Sequence, residues 1–401
     1  MLRIKSGLAV VMGALSAAPA AFAQHATNGA ISLTAAKSPI AEEVHVFHNW
    51  ILMPIMVGIS LFVLALLGWV IFKYNAKANP NPARFSHNTV IEVIWTGAPI
   101  LILLFIALFS FDLLYKEDVT PDGKQFVFEG DGSTSSFEIA NDFNKGRKVV
   151  VRDHLDVYVA NGDGAVKQLR KAYSVEGTTN IIQRLFGGKP ADQLTVTLAE
   201  APSAGDVVMV RAGRSRVGRT PVFGVFGANT SEIALAPTVT IKAVGLQWAW
   251  KYYYPDFGEF EIISNMLKEE ETTKELYRLA VDYPIYVPVG ETIRIVTAAE
   301  DVIHSWAMPN FAIKVDAVPG RLNETWFSVR EEGTYYGQCS EICGIKHAFM
   351  PIEVRAVSRP DFMAWVNEQR EFNGLEPITE PMAAGPAAAG PVQTALKAPA
   401  Q

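Results

Sequence analysis

The sequence predicts a membrane-anchored α+β protein, in which a two-helix transmembrane hairpin is followed by a β-sandwich and an additional β-rich domain is inserted between them. The chain has 401 residues, of which 49% are hydrophobic and only 19% are charged, so it is apolar for a soluble protein. Two long segments without any charge lie in its first third. Most of the remainder consists of short alternating runs separated by Gly, Asn and Asp, which is typical of strands and turns.

Residues 1–23 have the features of a secretory signal peptide. A basic start with Arg3 and Lys5 precedes an apolar run, and the segment ends in a small-x-small cleavage pattern. A first membrane anchor is the alternative, but the apolar run is short for a span. We therefore expect the mature chain to begin near Gln24, outside the cytoplasm.

A transmembrane hairpin is predicted over residues 24–118, with spans at about 49–72 and 93–115. Both apolar stretches are long enough to cross a bilayer as helices. The connecting loop contains three basic residues: Lys73, Lys77 and Arg84. By the positive-inside rule this loop is cytoplasmic, so the rest of the chain lies on the outer side.

The outer part divides into three predicted stretches. Residues 119–236 form the inserted β-rich domain, for which the sequence indicates no role. Residues 237–372 form a β-rich domain of the sandwich type with an excess of acidic residues, closed by a helix from Arg359 to about Glu371. The Ala- and Pro-rich tail at 373–401 is predicted to be disordered. The net charge of −6 gives no indication of nucleic-acid binding.

Six strands are predicted in the sandwich domain from alternation: Thr238–Val244, Gln247–Tyr254, Ile285–Val289, Thr292–Thr297, Thr325–Val329 and Met350–Val354. The second of these would place four aromatic side chains on one face, a pattern that usually indicates core packing: Trp248, Trp250, Tyr252 and Tyr254.

The strongest functional signal is a group of soft metal donors near the end of this domain. One loop offers two thiols, an imidazole and a thioether, at Cys339, Cys343, His347 and Met350. His304 follows a predicted strand and can face this loop, because the loops of a sandwich meet at its ends. Such donors suit copper and not calcium or magnesium. A disulfide between the two cysteines, a Cys2His2 zinc site and simple packing are the alternatives, although zinc has little use for a thioether.

These segments closely resemble subunit II of cytochrome c oxidases, of the type with two transmembrane helices. The resemblance covers roughly residues 40–118 and 236–370. The matching stretches are Ile94-Trp-Thr96, Gln247-Trp-Ala-Trp250, Asp301-Val-Ile-His-Ser-Trp306, the segment from Asp316 to Trp326, and the block from Cys339 to Met350. The resemblance implies a cupredoxin-like sandwich with a binuclear copper A centre, in which two thiolates bridge the copper ions.

The resemblance also implies which groups hold the metals. The expected copper ligands are the side chains of His304, Cys339, Cys343, His347 and Met350, together with the backbone carbonyl of Glu341. The Glu341 carboxylate would reach a magnesium or manganese ion at the interface with subunit I, since hard oxygen ligands suit such ions. A solvated loop glutamate is the alternative for that side chain.

By the same resemblance, the chain would belong to a proton-pumping oxidase of the bacterial inner membrane, with its C-terminal domain in the periplasm. It would accept electrons from cytochrome c at Trp248 and pass them to haem, which only subunit I carries; subunit III is a further expected partner. Glu92 would lie at the start of a proton path, or alternatively would only compensate a helix N-terminus. The candidate docking carboxylates for cytochrome c are Glu300, Asp301, Asp256, Glu259 and Asp282.

Three other functions remain open on the sequence alone. Subunit II of a quinol oxidase shares the hairpin and sandwich but uses no copper, which does not fit the complete donor set. The copper A domain of a nitrous-oxide-reductase-like enzyme fits poorly with two membrane spans and only seven histidines. A membrane-anchored binding module requires that Cys339 and Cys343 form a disulfide.

Overall fold

The structure is a computed structural model that describes residues 30–83, 87–141, 154–161, 165–169, 172–178, 191–213, 216–217 and 232–378. The signal peptide predicted at 1–23 and residues 379–401 of the predicted tail lie outside these residues. The beginning of that tail, 373–378, is described, and Leu375 and Ile378 pack against the sandwich core, so the prediction of disorder is wrong there. Arg84 of the basic loop lies outside them as well.

Two long helical stretches form the hairpin. Helix α1 (Pro39–Phe47) continues through a π-helical turn (His48–Leu52) into α2 (Met53–Lys73), and α3 spans Thr89–Asp118. Both stretches are long and apolar enough to cross a membrane, and their most apolar windows are not buried inside the protein. The helices extend beyond the predicted spans at 49–72 and 93–115, because a helix can continue into the polar residues on either side of its apolar segment.

Polar contacts join the hairpin to the sandwich. Within the hairpin, Lys116 in the last turn of α3 forms an ion pair with Glu43 of α1 at 2.7 Å, which ties the two stretches together next to the sandwich. The Trp326 indole donates a hydrogen bond of 2.8 Å to the Lys116 carbonyl, and the Thr325 hydroxyl donates one of 3.1 Å to the Glu117 carbonyl. The last carbonyls of α3, which have no partner within the helix, are thus satisfied by the sandwich. These contacts set the orientation of the outer domain on its anchor.

The segment between hairpin and sandwich contains two small sheets with their own apolar core, in the orders β1-β7-β3-β4 and β2-β6-β5, and a short pair β8-β9. The core includes Val157, Val196 and Val208, which have no solvent exposure. The strands are β1 (Lys124–Glu129), β2 (Ser136–Ala140), β3 (Leu155–Ala160), β4 (Val166–Leu169), β5 (Tyr173–Glu176), β6 (Gln193–Leu198), β7 (Val207–Ala212), β8 (Arg216–Val217) and β9 (Glu232–Ile233).

The C-terminal part is a sandwich of two five-stranded sheets, in the orders β12-β11-β10-β14-β17 and β13-β19-β18-β15-β16. The predicted membrane-anchored α+β fold is therefore confirmed. The strands are β10 (Val239–Leu246), β11 (Ala249–Tyr253), β12 (Glu261–Ser264), β13 (Ile285–Pro288), β14 (Thr292–Ala299), β15 (His304–Met308), β16 (Ile313–Ala317), β17 (Asn323–Ser328), β18 (Gly333–Cys339) and β19 (Pro351–Val357). Every second side chain along a strand faces the core of the sandwich. In β14, Ile293 and Ile295 point inward and are fully buried.

The prediction of one strand from Gln247 to Tyr254 is wrong at its beginning. Gln247 and Trp248 form the turn between β10 and β11, and the strand begins at Ala249. Trp250, Tyr252 and Tyr254 are buried in the core as expected, whereas Trp248 is only half-buried. The turn thus separates Trp248 from the aromatic face on which alternation had placed it.

The predicted closing helix is present as α4 (Arg359–Phe372) and packs against the sandwich through Phe362. The Ser358 side chain accepts a hydrogen bond from the Asp361 backbone N–H at its start, as an N-cap does. The Phe362 ring lies edge-on to Phe257 at 5.4 Å between centroids.

We expect Phe362→Ala to lower the free energy of unfolding of the sandwich by about 3–5 kcal/mol, because it leaves a cavity in a packed aromatic cluster. Phe372→Ala on the same helix is the matched control. That side chain is 85% exposed, whereas Phe362 has no exposure, so the control should change little. Denaturant unfolding followed by tryptophan fluorescence measures both; equal effects of the two substitutions would contradict this packing.

Candidate metal centre

The sandwich brings the predicted metal donors together at one end. Strand β18 ends at Cys339, and β19 begins at Pro351, so the loop between them carries the other donors. The loop folds back on itself, and the Cys339 backbone N–H donates to the Met350 carbonyl at 3.3 Å. His304 is the first residue of β15, which pairs with β18 and places Trp306 opposite Cys339. Sheet pairing thus places His304 beside the loop across a wide sequence gap.

Five donor atoms of this loop and strand form one compact cluster. The two thiol sulfurs of Cys339 and Cys343 are 3.8 Å apart. The Cys339 sulfur is 3.9 Å from His304 Nδ1, while the Cys343 sulfur is 3.6 Å from His347 Nδ1 and 3.5 Å from Met350 Sδ. Four of these residues are buried and His347 is half-buried. Both cysteines are free, which contradicts the alternative of a disulfide-bearing binding module.

The Glu341 backbone also faces the cluster. Its carbonyl oxygen lies 3.4 Å from the Cys339 sulfur, while its side chain is half-buried. The expected carbonyl donor is therefore close to a thiol.

The chemistry of this donor set fits copper. Two thiols, two imidazoles and a thioether are soft or borderline ligands, whereas calcium and magnesium require oxygen. Structural zinc takes four ligands, which are Cys and His. The cluster brings five side chains together, and Met350, which zinc would not need, is fully buried against the Cys343 sulfur.

A carboxylate orients the His304 ring. The Nε2 atom of His304 lies 3.0 Å from Asp301 Oδ1, which leaves Nδ1 directed at Cys339. Burial raises the pKa of Asp301, but hydrogen bonds with His304 and with the backbone N–H groups of Val302 and Gln247 outweigh it and lower that pKa. Burial lowers the pKa of His304, and its contacts with Cys339 and Asp301 raise it above the usual value. The pair is therefore arranged as a carboxylate–histidine orienting contact of the kind found at metal sites.

The two thiols have different proton affinities before a metal binds. Burial raises the pKa of Cys339, but hydrogen bonding with His304 and with the loop backbone lowers it below the usual thiol value. Burial and the neighbouring Cys339 thiolate raise the pKa of Cys343. Since a metal-ligating thiol must lose its proton, metal binding at neutral pH has to displace the proton of Cys343.

Trp248 directly contacts the loop between β18 and β19, residues 340–350, which is called the metal loop below because it carries most of the candidate metal donors. Its indole N–H donates to the Cys343 carbonyl at 3.2 Å, and the Gln247 side-chain amide donates to the same oxygen at 2.8 Å. Gly344 lies under the indole ring with φ +119°, and a Cβ there would come within 3.0 Å of the ring. The turn between β10 and β11 is thereby fastened to the loop that carries the candidate metal donors.

Three residues that hold this arrangement were not identified from the sequence. Gln247 is part of a matched motif but carried no predicted role, and Gly344 lies inside the metal loop. Gly245 makes room for His304, because a Cβ there would lie 2.8 Å from the imidazole ring. No local pattern marks these positions, since each depends on an approach between distant segments.

The predicted docking carboxylates are largely engaged within the protein. Glu300 forms an ion pair with Lys251 at 2.7 Å, and Asp301 binds His304 and two backbone N–H groups. Asp256 accepts from the Thr240 backbone N–H, and Asp282 accepts from Asn265. Glu259 is exposed at the turn after a short 3-10 helix. The structure therefore places Glu300 and Asp301 beside the Trp248 turn, and it shows no contact between that turn and the other three within the described residues.

Glu92 lies in the first turn of α3 and takes part in its N-terminal cap. Its carboxylate accepts the Asn88 backbone N–H at 3.1 Å, while the Asn88 side chain accepts from Val90 and Ile91. The alternative role of Glu92, in which its carboxylate stabilises the N-terminus of the helix, is therefore seen in the structure. A place in a proton path stays a prediction.

We expect Asp301→Asn to weaken copper binding by about 10–100-fold, because the loss of an outer carboxylate frees the tautomer and orientation of a metal-ligating histidine. Copper titration against a competing chelator measures the affinity. Asp256→Asn, an exposed carboxylate of the same domain, serves as the control and should leave copper affinity unchanged. Equal affinities of Asp301→Asn and the unmodified protein would show that the contact does not support the site.

Fold and site together define a membrane-anchored protein with a buried His–Cys–Cys cluster in a β-sandwich. The family model for the transmembrane domain of cytochrome c oxidase subunit II matches residues 26–113, and the model for its periplasmic domain matches residues 239–357. The chain belongs to the cytochrome c oxidase subunit II family. It is therefore a membrane-anchored subunit of a haem–copper oxidase complex, as the sequence motifs predicted.

The chain is similar to individual members of this family. A probable cytochrome c oxidase subunit 2 of Rickettsia conorii is 34% identical over 343 residues, which cover 85% of this chain and 72% of that protein. The cytochrome c oxidase subunit 2 of Dekkera bruxellensis is 52% identical over 141 residues, or 34% of this chain and 58% of that protein. The crystal structure of the periplasmic domain of subunit II of the Bradyrhizobium japonicum cytochrome oxidase is 47% identical over 34% of this chain and 96% of that chain, with a TM-score of 0.32.

Proposed function

We propose that this chain is the electron-accepting subunit of a proton-pumping cytochrome c oxidase and holds a binuclear copper centre between cytochrome c and the haem of subunit I. The observation that carries the proposal is the convergence of two unbonded thiols, two imidazoles and a thioether in one buried cluster. The proposed location is the bacterial inner membrane, with the sandwich on the periplasmic side. Subunit III is a further proposed partner.

The proposed ligands follow from the cluster. Cys339 and Cys343 lie between the two imidazoles, so their sulfurs would bridge two ions, with one histidine beside each sulfur. The remaining donors, Met350 and the Glu341 carbonyl, each lie next to one sulfur. A binuclear copper centre held by these residues would supply one-electron transfer chemistry at this end of the sandwich.

The surrounding protein favours electron relay over substrate chemistry. Buried Trp250 lies edge-on to the His304 ring at 6.0 Å and helps to keep water from it. The donors lie on paired strands or on a loop that folds back on itself, an arrangement that limits their movement. No open coordination position is needed for relay, in contrast to a catalytic metal site.

Three further assignments belong to the proposal. Trp248 would receive electrons from cytochrome c, because it is half-exposed and donates directly to the Cys343 carbonyl. The half-buried Glu341 carboxylate would hold magnesium or manganese at the interface with subunit I. Glu92 would stand at the start of a proton path, in addition to capping its helix.

The test is copper quantification and electron spin resonance on the full chain purified in detergent without subunit I. We expect two copper ions per chain and a spectrum in which one unpaired electron is shared by both nuclei. One copper ion per chain, bound zinc, or a preparation in which the two cysteines are oxidised to a disulfide would overturn the proposal. The absence of subunit I keeps its metals out of the count.

A further inference from the structure

The exposed face of Trp248 is bordered by positive charge. Lys346 Nζ lies 5.7 Å from the centre of the Trp248 ring, and Lys346 is exposed. The Arg278 guanidinium lies 4.6 Å from the centre of the Phe349 ring nearby. Among the residues that the structure describes, neither cation has a carboxylate within ion-pair distance. The sandwich domain as a whole has more acidic than basic residues. The positive charge beside Trp248 is therefore opposite in sign to the net charge of the domain.

Three of these side chains, Trp248, Lys346 and Phe349, line a pocket. Its volume is about 310 Å³, and it is lined by Trp248, Asn265, Met266, Lys346 and Phe349. Its walls are therefore mainly apolar and aromatic, with one cation at the edge. One acidic group, the Asp282 carboxylate, is bonded to this lining. It accepts hydrogen bonds from the backbone and side-chain N–H groups of Asn265.

Two acidic groups beside the Trp248 turn are already engaged within the protein. Lys251 pairs with Glu300, and Asp301 is occupied by His304 and by the Gln247 backbone N–H. Apolar side chains are exposed in the neighbouring loops: Ile345, next to Lys346 in the chain, is 88% exposed, and Ile303, next to His304, is 44% exposed. A protein that covers Trp248 therefore meets an apolar surface with an unpaired cation.

The cost of covering that cation decides what the partner must supply. A protein seated on Trp248 removes water from Lys346, which lies over the ring. Burying a charge without a partner costs several kcal/mol, whereas a carboxylate that pairs with it avoids this cost. An aromatic pocket beside the cation offers room for the side chain that carries the carboxylate.

We infer that the electron donor of this oxidase docks with a carboxylate-bearing side chain over Lys346, in the pocket beside Trp248. This inference rests on the proposed function, because it concerns the donor of the same site. The acidic excess of the domain attracts a donor that is basic overall, and long-range fields act on the rate of encounter. The centre of the contact then has the reverse sign, with the acid on the donor and the cation on this chain.

The test is Lys346→Glu in the assembled oxidase, measured as kcat/KM for its purified cytochrome c donor. Because two carboxylates would then face each other, we expect a fall of roughly tenfold or more. A donor that presents only basic groups predicts the opposite, because Lys346→Glu would give it a new attractive partner. The sign of the change therefore decides the inference.

Lys242→Glu is the matched control. Lys242 Nζ lies 5.4 Å from the Tyr253 ring, so it makes the same kind of contact on the same domain, outside the pocket. It changes the net charge equally and should not slow the donor. If both substitutions slow it equally, the inference is wrong, because the effect is then one of net charge.

Two measurements separate docking from the metal site. Copper content and oxygen consumption with a small diffusible reductant should both match the unmodified complex in Lys346→Glu. If the substitution disturbs the loop, Lys346→Met keeps an unbranched side chain of most of the length without its charge and should still lower kcat/KM. An unchanged or faster rate with Lys346→Met, at normal copper content, overturns the inference. Absence of copper from the unmodified chain would instead overturn the proposed function.

Discussion

Replacing Cys343 with serine is expected to abolish the shared-electron copper spectrum and to stop electron input from cytochrome c. The Cys343 sulfur lies within 3.8 Å of three other donor atoms, on Cys339, His347 and Met350. A serine oxygen is smaller and harder, and its hydroxyl keeps its proton at neutral pH, so it cannot replace a bridging thiolate. Loss of an outer hydrogen-bond partner already costs about 10–100-fold in metal affinity, and loss of a shared ligand should cost more.

Ser340→Ala is the matched control for this substitution, because it changes an exposed residue of the same loop. The Ser340 hydroxyl donates only to the nearby Gln338 carbonyl at 3.2 Å. Copper content, spin resonance and cytochrome c oxidation should all stay normal in Ser340→Ala. A Cys343→Ser chain that still holds two coppers with a shared electron would contradict the bridging role of this sulfur.

Most of the metal donors, and the hairpin, could be predicted because each of these features lies within one continuous segment of the sequence. One loop contains Cys339, Cys343, His347 and Met350. Because their donor atoms are soft or borderline, they restrict which metal ions can bind before any geometry is known. The two spans are continuous apolar runs, which no soluble helix requires. The position of His304 was also predictable, since a sandwich gathers loops at its ends.

The surroundings of the donors depend on approaches between distant segments and could not be predicted in the same way. The period of two placed Trp248 on the strand with Trp250, but the chain turns at Gln247 and Trp248, and the indole binds the Cys343 carbonyl instead. Glu300 was expected to face a donor, and its ion pair with Lys251 joins two different segments. Side-chain partners of this kind have no signature in local sequence.

The inserted segment shows the other limit of prediction. Alternation indicated strands, and the described part of 119–236 contains them, with a core of its own. A packed core indicates stability but not function, because chemistry requires particular polar groups in a site. Its contacts with the rest of the chain include the ion pair between Glu232 and Arg330 at 3.1 Å, which ties it to the sandwich.

Trp248→Ala is expected to slow electron input from cytochrome c while the copper spectrum stays intact. The half-exposed indole lies at the centre of the proposed contact, and its N–H is bonded to the loop that carries the candidate metal donors. Removing a central tryptophan from an interface costs about 2 kcal/mol or more. That loss corresponds to a fall of roughly 30-fold in kcat/KM.

A second substitution at the same position separates contact area from the hydrogen bond. Trp248→Phe retains an aromatic ring but loses the N–H donor, and Gln247 still donates to the Cys343 carbonyl, so an intermediate rate is expected. Phe372→Ala removes an exposed aromatic side chain at the end of α4 and should leave the rate unchanged. If Trp248→Ala accepts electrons at the normal rate with its copper in place, the indole does not act as the contact through which the donor delivers electrons.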